Sequence, residues 1–239
     1  AYLQLGDLEK AKKYLSSIDK NSEDYIVSLY NQTQIYQKNG NITEYIKIIR
    51  TMNEKFPKND MTIEANFNLA NLLYDKNDYE NSIIYFENVL KNGDSKSEKP
   101  IIKTVLETSY YFAGYINQLL YFNKKDNIDY FNKAVEYYKK YLNDYPEGKY
   151  FNKTLFRLGE IYSEHNDSEN SIKYYNLVKD KTLLDKSLFE IARQLFKSKR
   201  QEEALNYLLR IKKEVSESPL LVETNFLIAE YYFNKKDSL

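Results

Sequence analysis

His165 is the only histidine in this 239-residue chain, and it stands between Glu164 and Asn166 with Asp167 next in line. An imidazole among carboxylates is raw material for general acid–base chemistry, but that chemistry also needs a nucleophile and an orienting group arranged around the ring. The run E-H-N-D-S reads instead as a polar turn, whose histidine is expected to be solvated. Cysteine is absent, which removes thiolate nucleophiles, disulfides and Cys-based zinc sites together. Neither G-x-x-x-x-G-K-S/T nor G-x-G-x-x-G occurs, so no phosphate cradle is written in the chain. N-I-T at 41–43 and N-D-S at 166–168 match a glycosylation acceptor, a frequent coincidence in an Asn-rich chain. The expectation is a protein that is not an enzyme and needs no cofactor or metal.

Charge and composition narrow the field further. Lys plus Arg and Asp plus Glu both number 35, giving no net charge. Nucleic-acid binding draws most of its affinity from clustered cations, so nucleic acid is not the expected partner. No apolar run approaches the length of a membrane span. With 6 Gly and 4 Pro, a turn-rich all-β fold is disfavoured. The chain opens Ala-Tyr-Leu and stops in mid-pattern at Asp-Ser-Leu, so it reads as a piece of a longer protein.

What would position functional side chains is a repeated element. Residues 66–89 and 155–178 share ten of 24 positions without a gap, including N-D-x-E-N-S-I. Small residues mark the start of amphipathic runs at Ala11, Ser82, Ala134, Ser171 and Ala204, with Tyr45 in the same slot. The successive spacings are 34, 37, 52, 37 and 33 residues. Polar turns precede four markers: L-G-D at 5–7, N-G-N at 39–41, K-N-D at 76–78 and H-N-D at 165–167. Ala70, Gly114, Gly159, Ala192 and Ala229 sit where a second helix would press close, each after apolar residues at helical spacing. The unit is therefore helix, short turn, helix, of about 34 residues.

On these residues the chain resembles the tetratricopeptide-repeat (TPR) proteins. L-F-R-L-G-E-I-Y, then Ser171, Tyr175 and Val178, follows the family pattern, and Pro57, Pro146 and Pro219 fall near repeat ends. The resemblance implies an all-α fold in which helix pairs stack into a right-handed superhelical solenoid. It gives one array over 1–239: a partial repeat at 1–18, repeats at about 26–57, 63–92, 103–146, 152–182 and 185–217, and a partial repeat at 222–239. The polar stretch 91–100 is either a hinge between two sub-arrays or a surface insertion. Tyr45 breaks the small-residue rule, so the first full repeat is expected to be splayed or packed differently. N-D-Y-P-E-G-K-Y-F-N-K-T-L-F-R-L-G-E-I-Y at 143–162 also resembles, at one repeat junction, bacterial envelope TPR proteins, those of the Tol–Pal system or outer-membrane assembly, although no lipid-attachment cysteine is present. Cytoplasm and bacterial cell envelope both fit.

The resemblance also assigns a face. First helices line the concave surface, and the residue after the first large position points into it. In register these are Tyr30, Phe67, Tyr111, Phe156, Phe189 and Phe226, with Gln34, Asn71, Tyr115, Glu160, Arg193 and Glu230 one turn later. The candidate partner-binding residues are Tyr30, Phe67, Asn71, Tyr111, Tyr115, Phe156, Phe189, Arg193 and Phe226. Two readings of the ladder stay open: contacts for an extended or helical peptide, or packing against the next repeat. The carboxylate clamp of chaperone-binding members needs lysines where Tyr30 and Phe67 stand, so only Asn71 matches it. The expected function is a non-catalytic scaffold binding peptide or protein segments in a concave groove. The alternatives are a self-associating structural module, or the recognition arm of a larger enzyme whose catalytic domain lies outside these residues.

Overall fold

A computed structural model describes residues 8–124 and 127–236. Over them the chain is all-α, with twelve helices and no strand among the described residues. They are α1 (Leu8–Ser16), α2 (Tyr25–Lys38), α3 (Ile42–Lys55), α4 (Asp60–Asp75), α5 (Tyr79–Asn92) and α6 (Pro100–Asn123). There follow α7 (Ile128–Asp144), α8 (Phe151–Glu164), α9 (Ser168–Asn176), α10 (Lys181–Lys197), α11 (Gln201–Glu214) and α12 (Leu221–Lys236). The expected turn at 5–7, the start of the leading partial repeat and the last three residues of the trailing one lie outside the described residues.

Four hairpins close through the same three-residue turn. Its middle residue is left-handed: Gly40 (φ 66°), Asn77 (φ 60°), Asn166 (φ 62°) and Lys199 (φ 60°). The next amide reaches back to close the first helix, from Asn41 to Tyr36, Asp78 to Leu73 and Asp167 to Tyr162 at 2.9 Å, and from Arg200 to Leu195 at 2.8 Å. This is a Schellman closure, which satisfies carbonyls that a helix end would otherwise leave bare. The same residue then opens the second helix. Asn41 Oδ1 accepts from the Glu44 amide and Asp167 Oδ1 from the Asn170 amide, at 3.1 and 3.0 Å. Asp78 does likewise for Asn81, whereas Arg200 makes no side-chain cap. One residue thus ends one helix and begins the next.

Second helices stop by a different rule. At Phe56 and Tyr145 the backbone leaves the helix (φ −137° and −131°) directly before Pro57 and Pro146, as the proline ring requires of its predecessor. α9 ends without a proline. Asn152 Oδ1 accepts the backbone amides of Lys179 and Asp180 at 2.8 and 3.2 Å, and Asp180 in turn caps α10.

The chain divides into two compact units, residues 1–116 and 117–239. In the first, Leu29, Tyr45, Ile49, Met52, Leu69 and Leu73 form one core cluster, and Ile63, Val89, Ile102, Val105 and Leu106 form another. In the second, Tyr175, Leu188, Ile191, Leu195, Leu208 and Ile211 enclose the small residues Ala192 and Ala204. Small residues mark the tight crossings at Ala70, Gly114, Gly159 and Ala192, as expected, whereas Ala229 is exposed. Ser82 Oγ donates to the Ala70 carbonyl at 2.7 Å and Ser171 Oγ to the Gly159 carbonyl at 2.9 Å, so a hydroxyl stitches each pair where the backbones approach. Tyr45 is fully buried, and its Oη donates to the Ala65 carbonyl of α4 at 3.1 Å. The large side chain reaches past its own hairpin into the next helix, so this repeat is indeed packed differently.

A second column of small residues recurs in the first helices: Ser28, Ala65, Ser109, Thr154, Ser187 and Thr224, all at most 1% exposed. Ser28 Oγ donates to the Leu15 carbonyl of α1 at 2.7 Å, so at α2 this column faces the preceding second helix. First helices carry small residues on two faces, one toward each neighbour, and this leaves a third direction open.

Candidate functional site

Two residues beyond each position of that column stands an aromatic of the ladder. Two residues turn about 200° around a helix, so burying the small residue sends the aromatic to the opposite side. The two units then treat their aromatics differently.

In the first unit they are absorbed by packing. Tyr30 is half-buried, and its Oη donates to Glu64 Oε2 at 2.9 Å. Burial, that hydrogen bond and the Glu64 charge push the phenol up to about 12. Phe67 meets Phe86 edge to face, with centroids 6.0 Å apart, and Asn71 Nδ2 donates to the Phe67 carbonyl at 2.8 Å. Tyr111 is buried, stacked on Tyr115 (6.2 Å) and perpendicular to Phe112 (5.4 Å).

In the second unit the aromatics open onto a common space. Phe156 from α8, Phe189 from α10 and Phe226 from α12 border one cavity of about 810 Å³. Phe156 and Phe189 are half-buried, whereas Phe226 is 68% exposed. Leu220, Val222 and Leu227 extend the apolar lining. Phe156 rests its ring on buried Tyr175 (centroids 5.2 Å, near-perpendicular), so it serves core and cavity together. Burial, then the Glu160 and Glu190 charges, raise the Tyr175 phenol, leaving it neutral behind the cavity wall.

Charged groups form the rim. Lys186, Glu190, Arg193 and Glu223 border the cavity. Arg193 Nη1 donates to both Glu190 carboxylate oxygens, at 2.9 and 3.1 Å. Arg193 also borders two smaller hollows, one shared with Glu230 and Tyr231, the other with Glu164 and Lys197. Glu160 is committed elsewhere: it accepts from Arg157 Nη1 (2.7 Å) and Gln118 Nε2 (3.1 Å), and Gln118 Oε1 accepts from Tyr138 Oη (2.6 Å).

Of the candidate residues, the structure brings together Phe156, Phe189, Arg193 and Phe226. Tyr30, Phe67, Asn71, Tyr111 and Tyr115 belong to the other unit. Lys186, Glu190, Glu223 and Leu227 were not among the candidates. Their signal is positional: Lys186 and Glu223 each stand three residues before a ladder aromatic, one turn away on the same face.

His165 stands in the turn, as expected, and finds aromatic partners there. It is exposed, yet its ring stacks on Phe131 with centroids 4.0 Å apart, and Tyr121 Oη lies 2.9 Å from its Nδ1 in a hydrogen bond. The stabilising surroundings are aromatic, and they resemble packing more than a catalytic arrangement. No group of three or more His, Asp or Glu side chains suited to a metal occurs among the described residues, and no helix among them is long and apolar enough to cross a membrane.

The tetratricopeptide-repeat family model matches residues 1–24, 63–92 and 153–180. No curated protein sequence matches the chain. Among solved structures, MamA is 15% identical with a TM-score of 0.58, over 83% of this chain and 99% of MamA. YrrB, described as a TPR protein with an unusual peptide-binding site, is 17% identical with a TM-score of 0.53, over 79% of this chain and 84% of its own. PilW, described as a widely conserved type IV pilus biogenesis factor, is 16% identical with a TM-score of 0.50, over 93% and 92%. At these identities the likeness is one of fold.

Proposed function

We propose that this chain, which the tetratricopeptide-repeat model matches over three stretches, is a non-catalytic protein-interaction scaffold whose second unit receives a peptide or protein segment between Phe156, Phe189 and Phe226. The convergence of these three side chains on one cavity carries the reading. Aromatics held on rigid helices give up little entropy on binding and dominate affinity once a partner excludes water from them. That YrrB, a protein of this fold, has a peptide-binding site supports it.

The test replaces Phe226 by a photo-crosslinking phenylalanine analogue and, separately, does the same at Leu209, an exposed position on α11. Crosslinks to a partner segment that form at 226 and not at 209, and that a Phe189→Ala change removes while the melting temperature holds, establish the cavity as the docking site. Equal labelling at both positions rejects it.

A second reading, self-association, is favoured by α12, where Val222, Tyr232 and Phe233 are exposed alongside Phe226. A mass in solution that rises with protein concentration, and falls back with Phe233→Ser, would select it.

A further inference from the structure

The rim of the cavity carries an ordered charge pattern. On α10 the residues along this side are Lys186 and Arg193, both exposed, with one opposing charge, Glu190, already held by Arg193. On α12 they are Glu223 and Glu230, also exposed. Both sets repeat at helical spacing, so α12 shows the space between them negative charge alone, and α10 shows it an excess of positive charge. Lys186 and Glu223 border the large cavity together, and Arg193 and Glu230 border the neighbouring hollow together. Among the described residues, Lys186, Glu223 and Glu230 form no ion pair. The two walls therefore face the cavity with their charges unspent on one another.

We infer that the cavity selects segments in which an apolar side chain is flanked by unlike charges, an acidic group toward α10 and a basic group toward α12. This rests on the reading of the cavity as a docking site. An apolar anchor alone settles among the phenylalanines without preference for what flanks it. A uniformly acidic segment sets one end against Glu223 and Glu230, and a uniformly basic one meets Lys186 and Arg193. Each like-charge encounter is penalised while the anchor is in place, so the pattern rejects as well as attracts. The charges are exposed and keep their water until a partner arrives, so the discrimination is sensitive to ionic strength.

The experiment titrates isotope-labelled protein with short peptides and follows amide shifts around the cavity. Each peptide has a central phenylalanine. Two carry aspartates on one side and lysines on the other, in either order because chain direction is not dictated by the charges. One carries aspartates throughout, one lysines throughout, and each has a control with alanine at the centre. At low salt one mixed-charge peptide should bind about tenfold more tightly than either single-sign peptide, and the margin should shrink at about 0.5 M salt as screening shortens the reach of the charges. In Glu223→Lys/Glu230→Lys, two surface changes, preference should pass to the aspartate peptide.

Equal binding of all four peptides, lost only with the alanine controls, overturns the charge inference and leaves the cavity reading standing. A wild-type preference for a single-sign peptide also overturns it. If no phenylalanine peptide shifts the cavity resonances, the docking reading fails and takes this inference with it.

Discussion

Gly159 faces the ring of Tyr175 so closely that a Cβ at position 159 would lie 2.6 Å from its carbons. The glycine sits on α8 and the tyrosine on α9, so the absence of a side chain is what lets this hairpin close. Gly159→Ala should destabilise the protein by about 1–3 kcal/mol, the usual cost of overpacking, because the ring is enclosed and cannot swing away. Thermal melts check this, and Gly159→Ala combined with Tyr175→Leu should recover part of the loss.

Lys199 is the only left-handed turn residue of the four hairpins that is neither glycine nor asparagine. A side chain with a Cβ pays a steric cost in that conformation that glycine does not. Lys199→Gly should raise stability by about 0.5–1 kcal/mol, net of glycine's larger entropy in the unfolded chain. A fall in melting temperature would show that the lysine side chain contributes more than its backbone conformation costs.

Phe226 and Phe156 should part company when truncated. Phe226 is mostly exposed, so Phe226→Ala should leave stability within about 0.5 kcal/mol of the parent while weakening binding. Phe156→Ala removes the ring resting on Tyr175 and should cost stability by about 2–4 kcal/mol. Parallel denaturant titrations and peptide titrations measure both.

Alkaline pH should destabilise the first unit through its tyrosines. Tyr30 is raised to about 12, with burial the largest cause, and burial also raises Tyr45. A phenol raised in the folded chain contributes its full stabilisation below its ordinary pKa of about 10, and loses it as pH rises through the folded value. Melting temperature should therefore be flat near neutrality and fall from about pH 10 upward. Tyr45→Phe should flatten that fall, and an unchanged profile would assign the loss to other groups.

The sequence disclosed what is local. N-G-N, K-N-D and H-N-D are legible as turns because left-handed backbone and helix capping favour those residue types wherever they occur. S-K-R at 198–200 makes the same turn without that chemistry, held by helices on either side, and so it went unread. The inner column from Ser28 to Thr224 mixes Ser, Thr and Ala, whose hydropathy carries no period, although their size does. The aromatic ladder was legible as a register. Which rungs face a cavity was not, because the burial of Tyr111 depends on Phe112 and Tyr115, while Phe226 has no such cover.

The shared turn residues have a consequence for how such a chain can change in length. At Asn41, Asp78 and Asp167 one residue closes a helix and opens the next, and each of these connections is three residues long. Adding a residue there would separate two duties that one residue performs, and both helix ends would be left bare. The connections from second to first helices have no such double duty, and they run from four residues (56–59) to eight (17–24). Drift in length, tolerated loop grafts and protease nicks should all concentrate at those junctions. The hairpin, rather than the residue or the helix, is then the unit in which the chain can be copied, lost or exchanged.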